Sequence, residues 1–145
     1  MTPDVNVLVA ASRADHPHHA PALAAMKLAI ADCAVGSRLK LMPLVAASFL
    51  RLVTHPRIFV NPTPMRAAAD FIDALLAIPG AEMPMLGGEW PIFSRLCSEL
   101  ELAANEIPDA WLAAAVIHQG DHLVTFDADF RKLLKRSQLT VLESG

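Results

Sequence analysis

The sequence predicts an α/β domain with a mainly parallel sheet. Short apolar and β-branched runs, such as residues 122–126, alternate with longer Ala- and Leu-rich stretches of helical character. The chain also holds enough core material for one domain, with 145 residues, 54% of them hydrophobic, and a mean hydropathy of +0.39. A third observation concerns charge. An Asp stands at the edge of an apolar run in Pro3-Asp4-Val5-Asn6, in Ile107-Pro108-Asp109-Ala110 and in Thr125-Phe126-Asp127-Ala128-Asp129-Phe130. A carboxylate at the end of a core element points into the rim of the fold.

The elements follow in order. Thr2-Pro3-Asp4 reads as the end of a very short strand. Residues 5–11 mix β-branched side chains with an Ala pair, and Asp4 as a good N-cap places a helix just after it. Asp15-His16-Pro17-His18-His19 starts a second helix, which runs over 20–34 and stops at Gly36. Residues 39–41 are a short strand. Pro43 opens a helix over 44–53, closed by Thr54-His55-Pro56. Asn61-Pro62-Thr63-Pro64 is a turn and cap before an amphipathic helix over 65–78, which Pro79-Gly80 ends. Residues 82–85 read as a strand, Gly87-Gly88 as a loop and 90–102 as a helix. Pro108 sits in the first turn of a helix over 109–119, which stops at Gly120. A buried strand over 122–126, a short helix over 127–135 and a last strand over 140–142 complete the chain. No repeat or linker divides it, so residues 1–145 form a single domain.

In open parallel sheets the functional crevice lies outside the carboxyl ends of the strands. Asp4 and Asp127 fall at strand C-termini and Asp109 at a helix N-terminus, so the three can face one edge. Ionised carboxylates that converge repel by roughly 4 kcal/mol per pair at about 4 Å and an effective dielectric of about 20. A hard divalent ion removes that cost, and all-oxygen ligands suit Mg²⁺ or Mn²⁺ better than Zn²⁺.

The net charge of -3 argues against a broad basic surface. It leaves room for a basic rim of Arg51 and Arg57 on one side and Arg131, Lys132, Lys135 and Arg136 on the other. Cys33 and Cys97 lie in helical patterns without a CxxC partner and read as core thiols in a reducing compartment. Neither a signal peptide nor a membrane-length apolar run is visible, so a cytoplasmic protein away from membranes is expected. His16, His18 and His19 match no standard zinc spacing and read as a solvated helix start. Met26, Met65, Met83 and Met85 read as core filler, and Trp90 and Trp111 as core or interface anchors.

Four stretches together resemble the VapC-type toxins of the PIN-domain ribonuclease family. Asp4-Val5-Asn6-Val7-Leu8 is similar to that family's first metal-binding element. Phe49-Leu50-Arg51-Leu52-Val53-Thr54-His55-Pro56-Arg57 is similar to the helix and turn of one subgroup, Asp109-Ala110-Trp111-Leu112-Ala113-Ala114 to the late Asp-Ala motif, and Thr125-Phe126-Asp127-Ala128-Asp129-Phe130 to the final acidic motif. The likeness covers nearly the whole chain, and order and spacing make it specific.

The resemblance implies a three-layer α/β/α sandwich, Mg²⁺ or Mn²⁺ dependence, endoribonuclease activity, a homodimer and a VapB-type antitoxin. It makes Asp4 and Asp109 metal ligands, lets Asp127 complete the pocket directly or through water, and lets Asn6 orient the site. Asp129 reads as a first-turn residue that complements the helix dipole. The chain departs from many relatives in one place. Leu44-Val45-Ala46-Ala47-Ser48-Phe49 carries no carboxylate where they have a further acid. Glu106, three residues before Asp109, is the nearest spare.

The first reading is therefore a metal-dependent endoribonuclease toxin, with Arg51, Arg57 and Arg131 as candidate RNA contacts. The second is a catalytically weak module that keeps antitoxin and RNA binding. Small-molecule phosphatase chemistry lacks a Gly-rich phosphate loop and ranks last.

Overall fold

The computed structural model describes residues 1–144. The strands are β1 (Thr2–Pro3), β2 (Leu39–Lys40), β3 (Ala81–Glu82), β4 (Leu123–Thr125) and β5 (Leu139–Val141). The helices are α1 (Val5–Ser12), α2 (His19–Cys33), α3 (Pro43–Val53), α4 (Met65–Leu76), α5 (Trp90–Glu99) and α6 (Glu106–His118). Every strand pairing is parallel: β1-β4-β5 form one ladder and β2-β3 another.

A proline accounts for the break between the ladders. The N–H groups of Thr2 and Asp4 turn toward β4 and donate to the carbonyls of His122 and Val124 at 2.8 and 2.9 Å. Alternation along the strand turns the nitrogen of Pro3 toward β2, where it has no hydrogen to give. Contact with β2 is left to Met1, whose carbonyl accepts from Lys40 N–H at 2.9 Å and whose ammonium donates to Arg38 C=O at 2.7 Å. The strand order across both ladders is thus β3-β2-β1-β4-β5.

The helices bury very different amounts. Val7 to Ala11 of α1 and Leu112 to Val116 of α6 are all buried. Small Ala side chains let α6 sit deep in the fold, where bulkier ones would crowd its neighbours. The helices α2, α3 and α4 bury one stripe each at helical spacing, such as Val45, Ala46, Phe49 and Val53 on α3. Phe49 stacks on Phe71 with ring centroids 5.1 Å apart. By contrast α5 has no buried residue.

Several elements differ from expectation for visible reasons. Helix α5 stops at Glu99 instead of 102. Glu101 takes a left-handed φ of 50° and Leu102 N–H reaches back to Cys97 C=O at 3.0 Å, the closure usually made by Gly. Helix α6 starts at Glu106, before residue 109, and the Glu106 carboxylate accepts from Ala103 N–H at 3.3 Å. The short helix expected over 127–135 is a 3₁₀ segment, Ala128–Lys132, followed by another at Arg136–Gln138. Strand β3 covers Ala81–Glu82 instead of 82–85, so Met83 and Met85 emerge into solvent. Met65 is also exposed, and Met26 alone of the four is core filler. Trp90 and Trp111 are not core residues, being 63% and 44% exposed. Cys33 and Cys97 are free but only half-buried. No helix among the described residues is long and apolar enough to cross a membrane.

One clamp was invisible in the pattern. Arg13, at the end of α1, is buried and stacks on Phe59 at 3.8 Å. Its guanidinium donates to Thr63 Oγ1 at 3.0 Å, to Asn61 C=O at 2.9 Å and to the Asp15 carboxylate. The loop between α3 and α4 is thereby tied to α1.

Candidate active site

Asp4 links β1 to α1. As N-cap of α1 its Oδ1 accepts from Val5 N–H at 2.7 Å, and its Oδ2 accepts from the Thr125 hydroxyl at 2.7 Å. Asp4 is only 6% exposed and Thr125 is fully buried. The single proton of Thr125 goes to Asp4. Its oxygen accepts from Asn6 Nδ2 at 3.2 Å and from Asp127 N–H at 3.0 Å, while Asn6 Oδ1 accepts from Phe126 N–H at 3.2 Å. Thr125 therefore orients three of the polar residues the sequence singled out. Thr125 belongs to the final acidic stretch without being acidic itself, and its place at the end of a buried strand is the signal that marks it.

Asp109 approaches from the first turn of α6. With Asp4 it lines a cleft of about 210 Å³, whose walls include Ser48, Arg51, Pro108 and Leu112. Burial raises the Asp109 carboxyl to about 6, with the charges of Asp4, Asp127 and Asp129 adding to the rise. Burial also raises Asp4, and Asp127 adds to this, against the lowering effect of the bonds from Thr125 and Val5. Among the described residues none of these carboxylates has an ion-pair partner. The structure thus brings Asp4 and Asp109 to one cleft, with Asp127 and Asp129 close enough to act on Asp109.

The acids are not drawn tightly together. Among the described residues no group of three or more His, Cys, Asp or Glu side chains stands ready to hold an ion. Asp127 caps the following 3₁₀ segment, its Oδ1 accepting from Asp129 N–H at 2.8 Å. Glu106, Asp129 and Lys132 line a second, smaller cavity, which shares Asp109 with the cleft. Of the three candidate arginines, Arg51 lines the cleft with Asp4. Arg57 is exposed in the turn after α3, and Arg131 lines a different cavity beside β5. The stretch that lacks an acid contributes Ser48 to the cleft, whereas Ala46 is buried in the core.

A further acid escaped the sequence reading. Glu89 follows Gly87-Gly88 and looks like a solvated loop residue, yet it is 2% exposed. Its Oε1 accepts from Trp111 Nε1 at 2.6 Å and its Oε2 from Gly87 N–H at 2.8 Å. Burial works to raise its carboxyl, but the Trp111 indole and the backbone N–H groups, with His118 nearby, hold it below the usual range. Through Trp111, Glu89 fixes the loop before α5 to the helix that carries Asp109.

A parallel sheet covered by helices, with Asp4 at the carboxyl end of β1 and Asp109 of α6 lining one cleft, defines an α/β domain with an acidic cleft at its sheet edge. The chain belongs to the PIN domain family, which matches residues 1–135. It is 39% identical over 142 residues to VapC ribonuclease Mb2897 of Mycobacterium bovis, covering 94% of this chain and 93% of that protein. It is 37% identical over 132 residues to ribonuclease VapC31 of Mycobacterium tuberculosis, covering 89% of each. Among solved structures it resembles VapBC2 of Rickettsia felis bound to a promoter DNA fragment, with a TM-score of 0.69, 16% identity and 98% of each chain covered. It also resembles the sarcin-ricin loop cleaving toxin VapC20 of Mycobacterium tuberculosis, with a TM-score of 0.62, 18% identity and 90% and 92% coverage. At these identities the two structures establish the fold, which is the α/β PIN architecture the sequence predicts.

Proposed function

We propose that the chain is a metal-dependent endoribonuclease toxin of a type II toxin–antitoxin pair. The observation that carries this is the charge of the cleft. Asp109 is held up to about 6 by burial and by neighbouring acids, none of which has an ion-pair partner among the described residues. The donors the cleft offers, the Asp4 and Asp109 carboxylates and the Ser48 hydroxyl, are all oxygens and suit a hard divalent ion. Asp4 and Asp109, completed by Asp127, would hold Mg²⁺ or Mn²⁺. When bound, such an ion lowers the pKa of water and neutralises charge on a phosphodiester.

The chain's own residues have separable tasks. Thr125 and Val5 hold the Asp4 carboxylate in one orientation, and Asn6 holds Thr125. Arg51 lines the same cleft and would meet a backbone phosphate. Relatives named VapC ribonucleases support RNA as the substrate, and a VapB-type antitoxin is the partner this reading entails. A homodimer and a cytoplasmic setting accompany this reading, with the exposed Trp90 suited to an interface.

A second reading, a catalytically weak module that retains antitoxin and RNA binding, draws on a specific observation. Ser48 and Arg51, not an acid, occupy the α3 wall of the cleft. One experiment separates the two. Total cellular RNA is incubated with the protein with and without Mg²⁺ or Mn²⁺, and the ends are mapped. The first reading expects metal-dependent cuts at defined sites, reduced at least about 100-fold by Asp4→Asn in a folded protein. RNA that is bound but left intact with either ion would establish the second.

A further inference from the structure

We propose that the open edge of β5 docks an extended segment of a separate protein chain in which apolar and acidic residues alternate. β5 ends the strand order, paired with β4 on one side only. Leu142 N–H turns inward and donates to Thr125 C=O at 2.7 Å. By alternation, the N–H and C=O of Val141 and Leu139 point to the open side. Leu139, Thr140 and Val141 include no proline and no charge, the usual guards of an exposed edge.

A cavity flanks this edge on each face of the sheet, and the two differ in chemistry. On one face Thr140 and Leu142 meet Pro21, Ala24, Ala25 and Leu28 of α2 around a groove of about 480 Å³. Leu28 is 64% exposed there, and the Thr140 hydroxyl is already bonded to His122 Nε2, so the groove is apolar apart from Asp32 at its rim. On the other face Leu139 and Val141 meet Leu134, Arg131 and Arg136 around a cavity of about 490 Å³. Neither arginine has an ion-pair partner among the described residues.

A strand added to β5 points successive side chains to opposite faces. Apolar side chains would fill the α2 groove, and acidic ones would reach Arg131 and Arg136. A second copy fits poorly. Two β5 edges paired about a two-fold axis would set the arginines of both copies side by side on one face. RNA fits poorly too, since the α2 groove offers its phosphates nothing. The inference is independent of catalysis in the acidic cleft.

The test titrates ¹⁵N-labelled protein with a synthetic twelve-residue peptide of alternating Val and Glu. Controls are a peptide of the same composition with the alternation broken, and one with Lys for Glu. Saturable binding with amide shifts centred on Leu139 and Val141 is expected for the alternating Glu peptide alone. Val141→Pro removes an outward N–H at an edge where proline is tolerated, and should weaken binding at least about tenfold. Arg136→Glu, at an exposed position, should weaken it comparably and serves if Val141→Pro does not fold. Absence of saturable binding, equal binding of either control, or indifference to Arg136→Glu would overturn the proposal. So would displacement of the peptide from β5 by a single-stranded RNA oligonucleotide, or a protein dimer that Arg136→Glu alters.

Discussion

Helices α5 and α6 lie against each other and are built on opposite terms. Leu112 to Val116 of α6 are buried without exception, and the helix carries Asp109 at its first turn. Helix α5 has no fully buried residue, only half-buried ones such as Phe93 and Leu96, and begins with a Trp that is 63% exposed. Phe93 bridges the two, 5.4 Å from the Trp90 ring and 6.0 Å from that of Trp111. The contrast teaches where precision is kept. The charge that shapes the cleft stands on the element with least freedom, and apolar surface suited to association stands on the element whose loss of packing costs the core least.

The sharpest way to break this contrast is to overfill α6. Ala113→Leu inserts a branched side chain where Ala113 has no exposure, and should destabilise the fold by about 1–3 kcal/mol, read as a fall in the urea midpoint. The equivalent enlargement on the outer face of α5, Ser94→Leu, should leave the midpoint nearly unchanged.

A second test uses the carboxyl of Asp109. A group whose pKa rises on folding adds stability below its unfolded value and loses that contribution as pH climbs through the folded value. For Asp109 the window runs from 3.8 to about 6. In a chelator the melting temperature should drop across this window, and Asp109→Asn should flatten the drop. Mn²⁺ should raise the melting temperature above pH 6 and lose that effect below it, because a protonated Asp109 no longer offers a charged ligand.

Ser48→Glu probes the α3 wall of the cleft. The added carboxylate should tighten Mn²⁺ binding and raise cleavage, both measured by metal titration. Glu106→Gln, in the neighbouring cavity, should change either by less than about twofold. A larger loss in Glu106→Gln would move Glu106 into the site.

The smallest expected effect belongs to α5. Trp90→Ala should shift stability by no more than about 0.5 kcal/mol while changing the mass seen by light scattering. A large loss of stability instead would mean that this face already packs within the monomer.

Local chemistry was readable wherever one residue sets the geometry. Asp4 as an N-cap predicted α1, Pro43 opened α3, and the apolar run around Val124 marked a buried strand. Composition could not tell which apolar residues would be covered. Met83 and Met85 became exposed because β3 is only two residues long. Glu89 and Arg13 were missed because a charged residue in a loop reads as solvated until the fold supplies its partners. The approach of Asp4 and Asp109 to one cleft was legible because each stands at the end of an apolar element. Thr125, which orients Asp4, was not, since a hydroxyl inside a strand looks like ordinary β composition.

The proline in β1 bears on what sets the width of the cleft. On one side of that seam stand Asp4, Thr125 and the ladder through β5; on the other stands β2, which leads into α3 with Ser48 and Arg51. Among the described residues the backbone hydrogen bonds across this seam are those of Met1 with Arg38 and Lys40. The spacing of those walls is set instead by the core they share, where Val7 and Leu8 of α1 and Val45 and Phe49 of α3 belong to one buried cluster. The width of the cleft is thus a property of packing, and a change in the core beneath it would reach Asp4 and Arg51 together.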